Sequence, residues 1–333
     1  MKIYILFIML AVSLSIYLSC DSVDPSEGST DTERPKCSVA EPSNMDIVWE
    51  KVTITANASD NIGVKNVDIY GDYKLLFTST SSPYTYEWDI SNMYGSHYIF
   101  AKAFDKAGNS GTSDTIEIKI PALVFKDDFD TYATNVSPSD PWETTKSGEA
   151  DIKISDRFKD TKGNTCCFSS DGARDSYVKA DVPFDSQVYL MVFISFYYEE
   201  ADMQIRLGNG DRWDNFGPSL FIEENALLVQ DGVAPRKIYD LKPDTWYTLR
   251  LDLDCLSKTY DIQIDGKVVE NQVSFLDRPD SITRLGFQTV TEDRACRELH
   301  LNDIFIYDMN STRAAWKKND NLKTRRVIYA LKK

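Results

Sequence analysis

Between Thr245 and Lys267 the chain reads TWYTLRLDLDCLSKTYDIQIDGK. Tyr247, Leu249, Leu251 and Leu253 alternate there with Trp246, Thr248, Arg250, Asp252 and Asp254. Successive side chains of a strand point to opposite faces, so this spacing predicts one apolar face and one wet face. Past a turn at Ser257 and Lys258, Tyr260, Ile262 and Ile264 alternate with Asp261, Gln263 and Asp265. Asp265-Gly266 then suits the positive φ angles of a tight hairpin turn. A helix buries neither pattern. The run Val188 to Tyr198 is apolar on both faces and predicts a central strand covered on each side.

The same alternation recurs earlier in the chain. Val52, Ile54 and Ala56 are followed by Val67 and Ile69, by Tyr84, Tyr86 and Trp88, by His97, Ile99, Ala101 and Ala103, and by Ile116, Ile118 and Ile120. Turn residues separate these runs, at Ser59-Asp60-Asn61, Gly71-Asp72, Ser82-Pro83, Tyr94-Gly95 and Asp105 to Asn109. About seven short strands in such a span is the strand count of an immunoglobulin-like sandwich. ASDNIGV (58–64), SPYTYEWD (82–89) and GSHYIFAKAFDKAGN (95–109) also resemble the bacterial Ig-like family. That resemblance implies a fold for residues 37–120 and little function, since such modules serve as spacers or adhesive platforms. Cys37 has no second cysteine within the segment, which excludes an inter-sheet disulfide. His97, in phase with Ile99, is expected to be a half-buried sheet residue.

At 333 residues the chain has room for two cores, and a 12% aromatic content fits β-rich packing. The net charge of −15 repels phosphate backbones and argues against nucleic acid. The charge is uneven, because Ser311 to Lys333 carry eight Lys or Arg against one Asp, a basic tail of its own. Two histidines, His97 and His300, leave little material for His-based triads or multi-His zinc sites.

Lys2 precedes an apolar run, Ile3 to Leu18, long enough for a signal h-region and short for a membrane span. Ser19-Cys20 at its end resembles a bacterial lipobox. Tyr17 and Leu18 depart from the usual box and resemble the looser boxes of Bacteroidota-like bacteria. The resemblance implies a signal peptide over 1–19, acylation of Cys20, and membrane attachment through a lipid anchor alone. Residues 20–36, rich in Asp, Glu, Ser and Pro, read as a flexible acidic tether. Acidic residues directly after the Cys resemble a surface-export signal, which implies an outer-membrane protein facing the exterior.

In the larger second segment, 122–310, the opening LVFKDDFDTY (123–132), DPWE (140–143), the Thr245 to Lys267 hairpin and the closing ELHLNDIFIYDMN (298–310) resemble the concanavalin A-like lectin and glucanase superfamily, laminin G-like modules included. The expected fold class is therefore all-β, an immunoglobulin-like sandwich followed by a concanavalin A-like jelly roll. That superfamily holds both sugar binders and sugar-cleaving enzymes. Its retaining glucanases carry Glu-x-Asp-x-x-Glu, whereas here Glu200, Asp202 and Ile205 occupy the pattern and the acid is missing. Its alginate-type lyases use Gln-Ile-His, and here Arg206 follows Gln204-Ile205. Sequence thus favours a binder. The candidate ligand residues are Arg212, Trp213, Asp214, Asn215 and Phe216, in the glycine-rich loop 208–217, where rings stack on sugar faces and planar polar groups meet hydroxyls. Trp142 and Trp246 are assigned to packing, and His300 to a structural role.

Relatives tie first and last strands with a structural calcium, which makes Asp128 and Asp303 the candidate ligands by position. Beyond Cys20, five cysteines remain, so at least one is unpaired; Cys255 is placed to pair with Cys296, Cys166 or Cys167. The function expected is a non-catalytic, surface-displayed lipoprotein that captures a polysaccharide or other glycan, with other surface proteins as further partners. The rival readings are a jelly-roll glycoside hydrolase or polysaccharide lyase, with Tyr197, Tyr198, Glu199, Glu200 and Asp202 as first suspects, and a protein-binding adhesin.

Overall fold

The computed structural model describes residues 31–170, 177–199, 202–209, 215–289 and 296–310. The leader, Cys20 and the basic tail lie outside these residues. Among the described residues no helix is long and apolar enough to cross a membrane.

The first domain runs through β1 (Lys36–Glu41), β2 (Lys51–Ser59), β3 (Val64–Gly71), β4 (Lys74–Ser79), β5 (Tyr84–Asp89), β6 (Gly95–Asp105), β7 (Ser110–Thr112) and β8 (Ile116–Ile120). One sheet has the order β1-β2-β5; the other has β4-β3-β6-β7, with β8 also on β6. The alternating apolar positions face inward, where Val52, Ile54, Ile69, Trp88, Ile99 and Ile118 form the core. Asp72 and Tyr73 take the paired positive φ values of a tight hairpin turn. His97 is half-buried, its Nδ1 2.7 Å from Asp72 Oδ2. Asp31 to Pro35, read above as the end of the tether, lie against this domain: Asn61 and Asn109 side chains donate to Asp31.

The second domain comprises β9 (Ala122–Asp127), β10 (Glu143–Ser147), β11 (Asp151–Ser155), a single-turn helix α1 (Lys159–Lys162), β12 (Thr165–Ser170), β13 (Tyr177–Gln187), β14 (Tyr189–Glu199), β15 (Met203–Gly208), β16 (Phe216–Glu223), β17 (Ala226–Val229), β18 (Arg236–Asp240), β19 (Thr245–Asp254), β20 (Thr259–Ile264), β21 (Lys267–Ser274), β22 (Ile282–Thr289) and β23 (Cys296–Asp308). They form two antiparallel sheets. The seven-stranded sheet has the order β10-β13-β22-β15-β16-β17-β18. The eight-stranded sheet has β11-β12-β23-β14-β19-β20-β21, with β9 also on β23. The molecule is all-β, an Ig-like sandwich followed by a larger β-sandwich.

β14 is the central strand that its unbroken apolar run predicts: it pairs with β19 on one side and β23 on the other and is buried along almost its whole length. Its even-numbered residues, Leu190 to Tyr198, enter the core between the sheets. At its start the odd-numbered residues Tyr189, Met191 and Phe193 join Phe305 and Tyr307 of β23 on the outer face, where Ile47 of the first domain packs, flanked by Met45 and Trp49. Two-sided burial of β14 is thus completed by the neighbouring domain.

The wet face expected on β19 and β20 is not found. Arg250, Asp252, Asp254, Asp261 and Gln263 are all buried. Protein groups meet the four charged ones: Arg250 Nε donates to Asp252 Oδ1 (2.8 Å), Asp254 accepts from the Leu256 and Ser257 amides, and Asp261 accepts from that of Gln272. Gln263 Nε2, in contrast, has no hydrogen-bond partner among the described residues. Cys255 pairs with neither Cys166 nor Cys167; all three are free thiols, as is Cys37. Cys167 lies level with Tyr197 across His300, whereas Cys255 sits beside Val188, roughly 30 Å away at the rise of a strand. The Cys296 side chain lies outside the described residues.

Candidate functional site

Of the sequence-chosen loop, Arg212, Trp213 and Asp214 lie outside the described residues. Asn215 and Phe216 are placed: the Asn215 carbonyl accepts from the Asn209 amide, and the Phe216 amide donates to Asp277 Oδ2 (3.0 Å). Gly208 is required there, since a Cβ at that position would lie 2.6 Å from Asn215 O. The suspects on β14 face opposite ways, although Tyr197 and Glu199 both meet Arg157, whose guanidinium carbon is 5.6 Å from the Tyr197 ring centre. Tyr197 points outward to Asp244 and Tyr198 inward to Asn225, while Glu199 is held by Arg157; Glu200 lies outside the described residues. Trp142 is a core residue whose Nε1 donates to Asp127 Oδ2 (2.7 Å). Trp246 packs on Phe158 and Tyr197.

Asp128 and Asp303 are near enough to interact electrostatically. Burial pushes the Asp303 carboxyl up, Lys162 opposes that shift, and Asp128 adds to it. Lys126 Nζ stands 3.2 Å from Asp128. Among the described residues these two acids belong to no group of three convergent side-chain metal ligands.

A polar face emerges on the outside of the seven-stranded sheet, and strand register builds it. Glu143, Asp181, Gly286, Arg206 and Ser219 lie side by side across β10, β13, β22, β15 and β16. The adjacent rung is Thr145, Lys179, Gln288, Gln204 and Phe221, and on the other side Pro183, Arg284, Gly208 and Phe216 are aligned. Their inward neighbours Val178, Ala180, Val182, Ile205, Leu285 and Phe287 fill the core, so alternation fixes these polar groups outward. The register shifts between Arg206 and Gly208, a bulge that turns Gly217 toward Phe275 and brings the Phe216 ring beneath the Arg206 guanidinium (4.5 Å).

Charges on this face are interlocked. Lys179 Nζ is 2.9 Å from Asp181, and Arg284 Nη1 reaches Glu143 (2.6 Å) and Asp181 (3.9 Å). Burial raises the Asp181 carboxyl above its ordinary range, against the pull of Lys179 and Arg284. Burial pushes Arg206 down to about 10 while Asp181 opposes the shift, so Arg206 stays cationic at neutral pH. Gln204 Nε2 donates to Ser219 Oγ (3.2 Å). The face offers guanidinium, ammonium, amide and ring surfaces within a few strand spacings of about 4.8 Å each. Such groups grip hydroxyls, carboxylates and pyranose faces together.

On this face Asp181, Gln204 and Ser219 are buried while Lys179, Arg206, Phe221 and Gln288 are half-buried. The outer face of the eight-stranded sheet is covered at both ends. The first domain sits on one end, and Phe158 packs against Tyr197, Trp246 and His300 at the other. His300 is buried, between Thr165 Oγ1 (2.9 Å) and Glu298 Oε2 (3.0 Å).

A family model for a bacterial Ig domain matches residues 35–101. No curated protein matches the chain in sequence. Among solved structures, a sialidase is similar at 13% identity and a TM-score of 0.46, covering 83% of this chain and 32% of its own, so this chain spans about a third of that protein's length. A carbohydrate-binding module of the β-sandwich superfamily is similar at 12% identity and a TM-score of 0.39, covering 82% of this chain and 98% of its own. An endo-β-1,4-glucuronan lyase from the fungus Trichoderma reesei is similar at 12% identity and a TM-score of 0.41, over 56% of this chain and 96% of its own. Likeness at this level leaves function to be read from the site, and the assignment reached here is architectural: a bacterial Ig domain over 35–101, joined to a second β-sandwich.

Proposed function

We propose that this protein binds a glycan, without cleaving it, on the outer face of its seven-stranded sheet. The observation that carries the reading is the rung Asp181, Gly286, Arg206 and Ser219. At its centre a residue without a side chain stands between a carboxylate and a desolvated guanidinium, with Gln204 and Gln288 alongside. The sheet already positions the hydrogen-bonding groups of this face, which limits the ordering cost of binding a sugar unit there. Phe221 adds a ring at the flank of the second rung. The loop residues Arg212, Trp213, Asp214 and Asn215 belong to the same proposal, since residues 209 and 215 on either side of them enter the face beside Phe216. Display outside an outer membrane through a lipidated Cys20, and a structural calcium at Asp128 and Asp303, remain proposals from the sequence.

One observation favours cleavage as a second reading. Glu143 and Asp181 are cross-strand partners, and Asp181 is the carboxyl whose proton affinity burial raises. Paired carboxyls of unequal acidity are what glycoside hydrolysis uses.

Affinity electrophoresis of the full chain through gels cast with neutral and uronate-bearing polysaccharides, with and without calcium, tests both. Retardation in one polymer, reduced at least tenfold in apparent affinity by Arg206→Ala, is the expected result. Equal mobility in every gel overturns the binding reading, and thinning of the polymer behind the band, lost in Asp181→Asn, replaces it with cleavage.

A further inference from the structure

On the covered side of the second sandwich, three metal-competent side chains of different chemistry meet. Cys167 and His300 are direct cross-strand partners on β12 and β23, and Glu298 stands two residues before His300, on the same face of the sheet. One ligand atom from each, Sγ, a ring nitrogen and a carboxylate oxygen, all lie within 4.8 Å of one another. The shortest approach is 3.0 Å, from His300 Nε2 to Glu298 Oε2. We infer that Cys167, His300 and Glu298 form a binding site for one zinc-class divalent cation, on a face unrelated to the proposed glycan site.

The donors select the ion. A thiolate and an imidazole favour zinc and its borderline-soft neighbours over calcium or magnesium. Ligand bonds of about 2.0 to 2.3 Å put neighbouring donors roughly 3.3 to 3.7 Å apart in a tetrahedral site, so closing this triangle takes side-chain movements on the order of 1 Å. Charge also fits. A thiolate and a carboxylate neutralise a dication, and the thiol proton goes to solvent on binding. Arg157, which now bridges Glu298 and Glu199 with Nη1 2.6 Å from each, then keeps Glu199 as its partner.

The surroundings match a metal shell. Thr165 Oγ1 lies 2.9 Å from His300 Nδ1 and 3.4 Å from the Ser155 carbonyl, so it can accept from Nδ1–H while its own O–H donates to that carbonyl. That tautomer frees the Nε2 lone pair for a cation; without one, Nε2–H donates to Glu298 Oε2 and Nδ1 accepts from the Thr165 hydroxyl. A hydrogen-bonded far nitrogen of this kind orients a ligating histidine. Cys167 and His300 are almost fully buried, with Phe158 edge-on to the imidazole, and Glu298 is the most exposed of the three. Glu298 therefore marks the entry, with the fourth position open to water or an added ligand.

The test uses the reduced, metal-stripped full chain, titrated with cobalt(II) and then zinc(II). One cobalt per chain is expected, with a near-ultraviolet thiolate-to-cobalt charge-transfer band that zinc abolishes. Cys167→Ser should remove the band and leave the far-ultraviolet circular dichroism unchanged; Cys255→Ser should leave the band intact. Thr165→Val should weaken zinc by about 10- to 100-fold without touching a ligand. If Cys167→Ser fails to fold, Glu298→Gln, at the more exposed ligand, decides by the same band and by loss of zinc affinity. No charge-transfer band in the parent chain, or an undiminished band in Cys167→Ser, overturns the site and leaves His300 and Glu298 as a hydrogen-bonded pair alone.

Discussion

Ile47 gives a direct test of how the two domains are joined. It lies between β1 and β2 of the first domain, is 4% exposed, and packs among Tyr189, Met191, Phe193, Phe305 and Tyr307 of the second. Ile47→Ala empties a site walled by the other domain. Truncation of a buried Ile to Ala costs about 2 to 5 kcal/mol. We take about 2 kcal/mol, since flanking Met45 and Trp49 can settle into part of the space. A domain of some 90 residues unfolds with an entropy near 0.19 kcal/mol/K, so each kcal/mol shifts its midpoint by about 5 °C. The unfolding transition of the first domain should therefore fall by about 10 °C in differential scanning calorimetry. The sandwich should move less, because its inter-sheet core is separate from this cluster. A first-domain midpoint within about 2 °C of the parent refutes the reasoning, because Ile47 would then contribute less than half a kcal/mol.

Two further outcomes follow from buried charge. Asp252→Asn leaves the Arg250 guanidinium without its carboxylate at a site where the two residues are 6% and 2% exposed; the expected loss is about 3 to 5 kcal/mol in urea unfolding, and an unchanged midpoint contradicts the pairing. For Asp181 the folded carboxyl is raised above its unfolded value, so the folded state holds its proton longer. Its contribution to stability is present in acid and is lost as pH rises from the unfolded value through the folded one. Asp181→Asn should remove that loss, stabilising the protein at pH 7 relative to the parent and changing little in strong acid. Parallel stability–pH curves for the two proteins count against a buried Asp181.

Much of the architecture was legible because burial and period agree. The unbroken run of β14 and the Asp265-Gly266 turn, with φ of 49° and 74°, needed no long-range information. The polar half of each alternating strand was the harder part. Period two separates the faces without saying which polar face meets water, so Asp252 and Asp261 read as solvated although both are buried. The candidate site was hidden for a related reason. Glu143, Asp181, Arg206 and Gly286 are scattered along the chain, and only pairing across four strands aligns them. Arg206 was in view in Gln204-Ile205-Arg206, but as a missing histidine rather than as a cation in its own right. Cys167 and His300 likewise carry no shared spacing that a linear motif could register.

The Ile47 contact has a consequence for collective behaviour. A hinge between the domains would let each copy aim its polar face independently, whereas a packed joint gives every copy the same angle between that face and the first domain. On the lipid anchor and glycan site proposed above, copies side by side would present a regular array of faces to one long polymer. After the first contact, each further one forms at an effective concentration set by spacing and geometry, so avidity can grow by about 10²- to 10⁴-fold with no change in the single-site affinity.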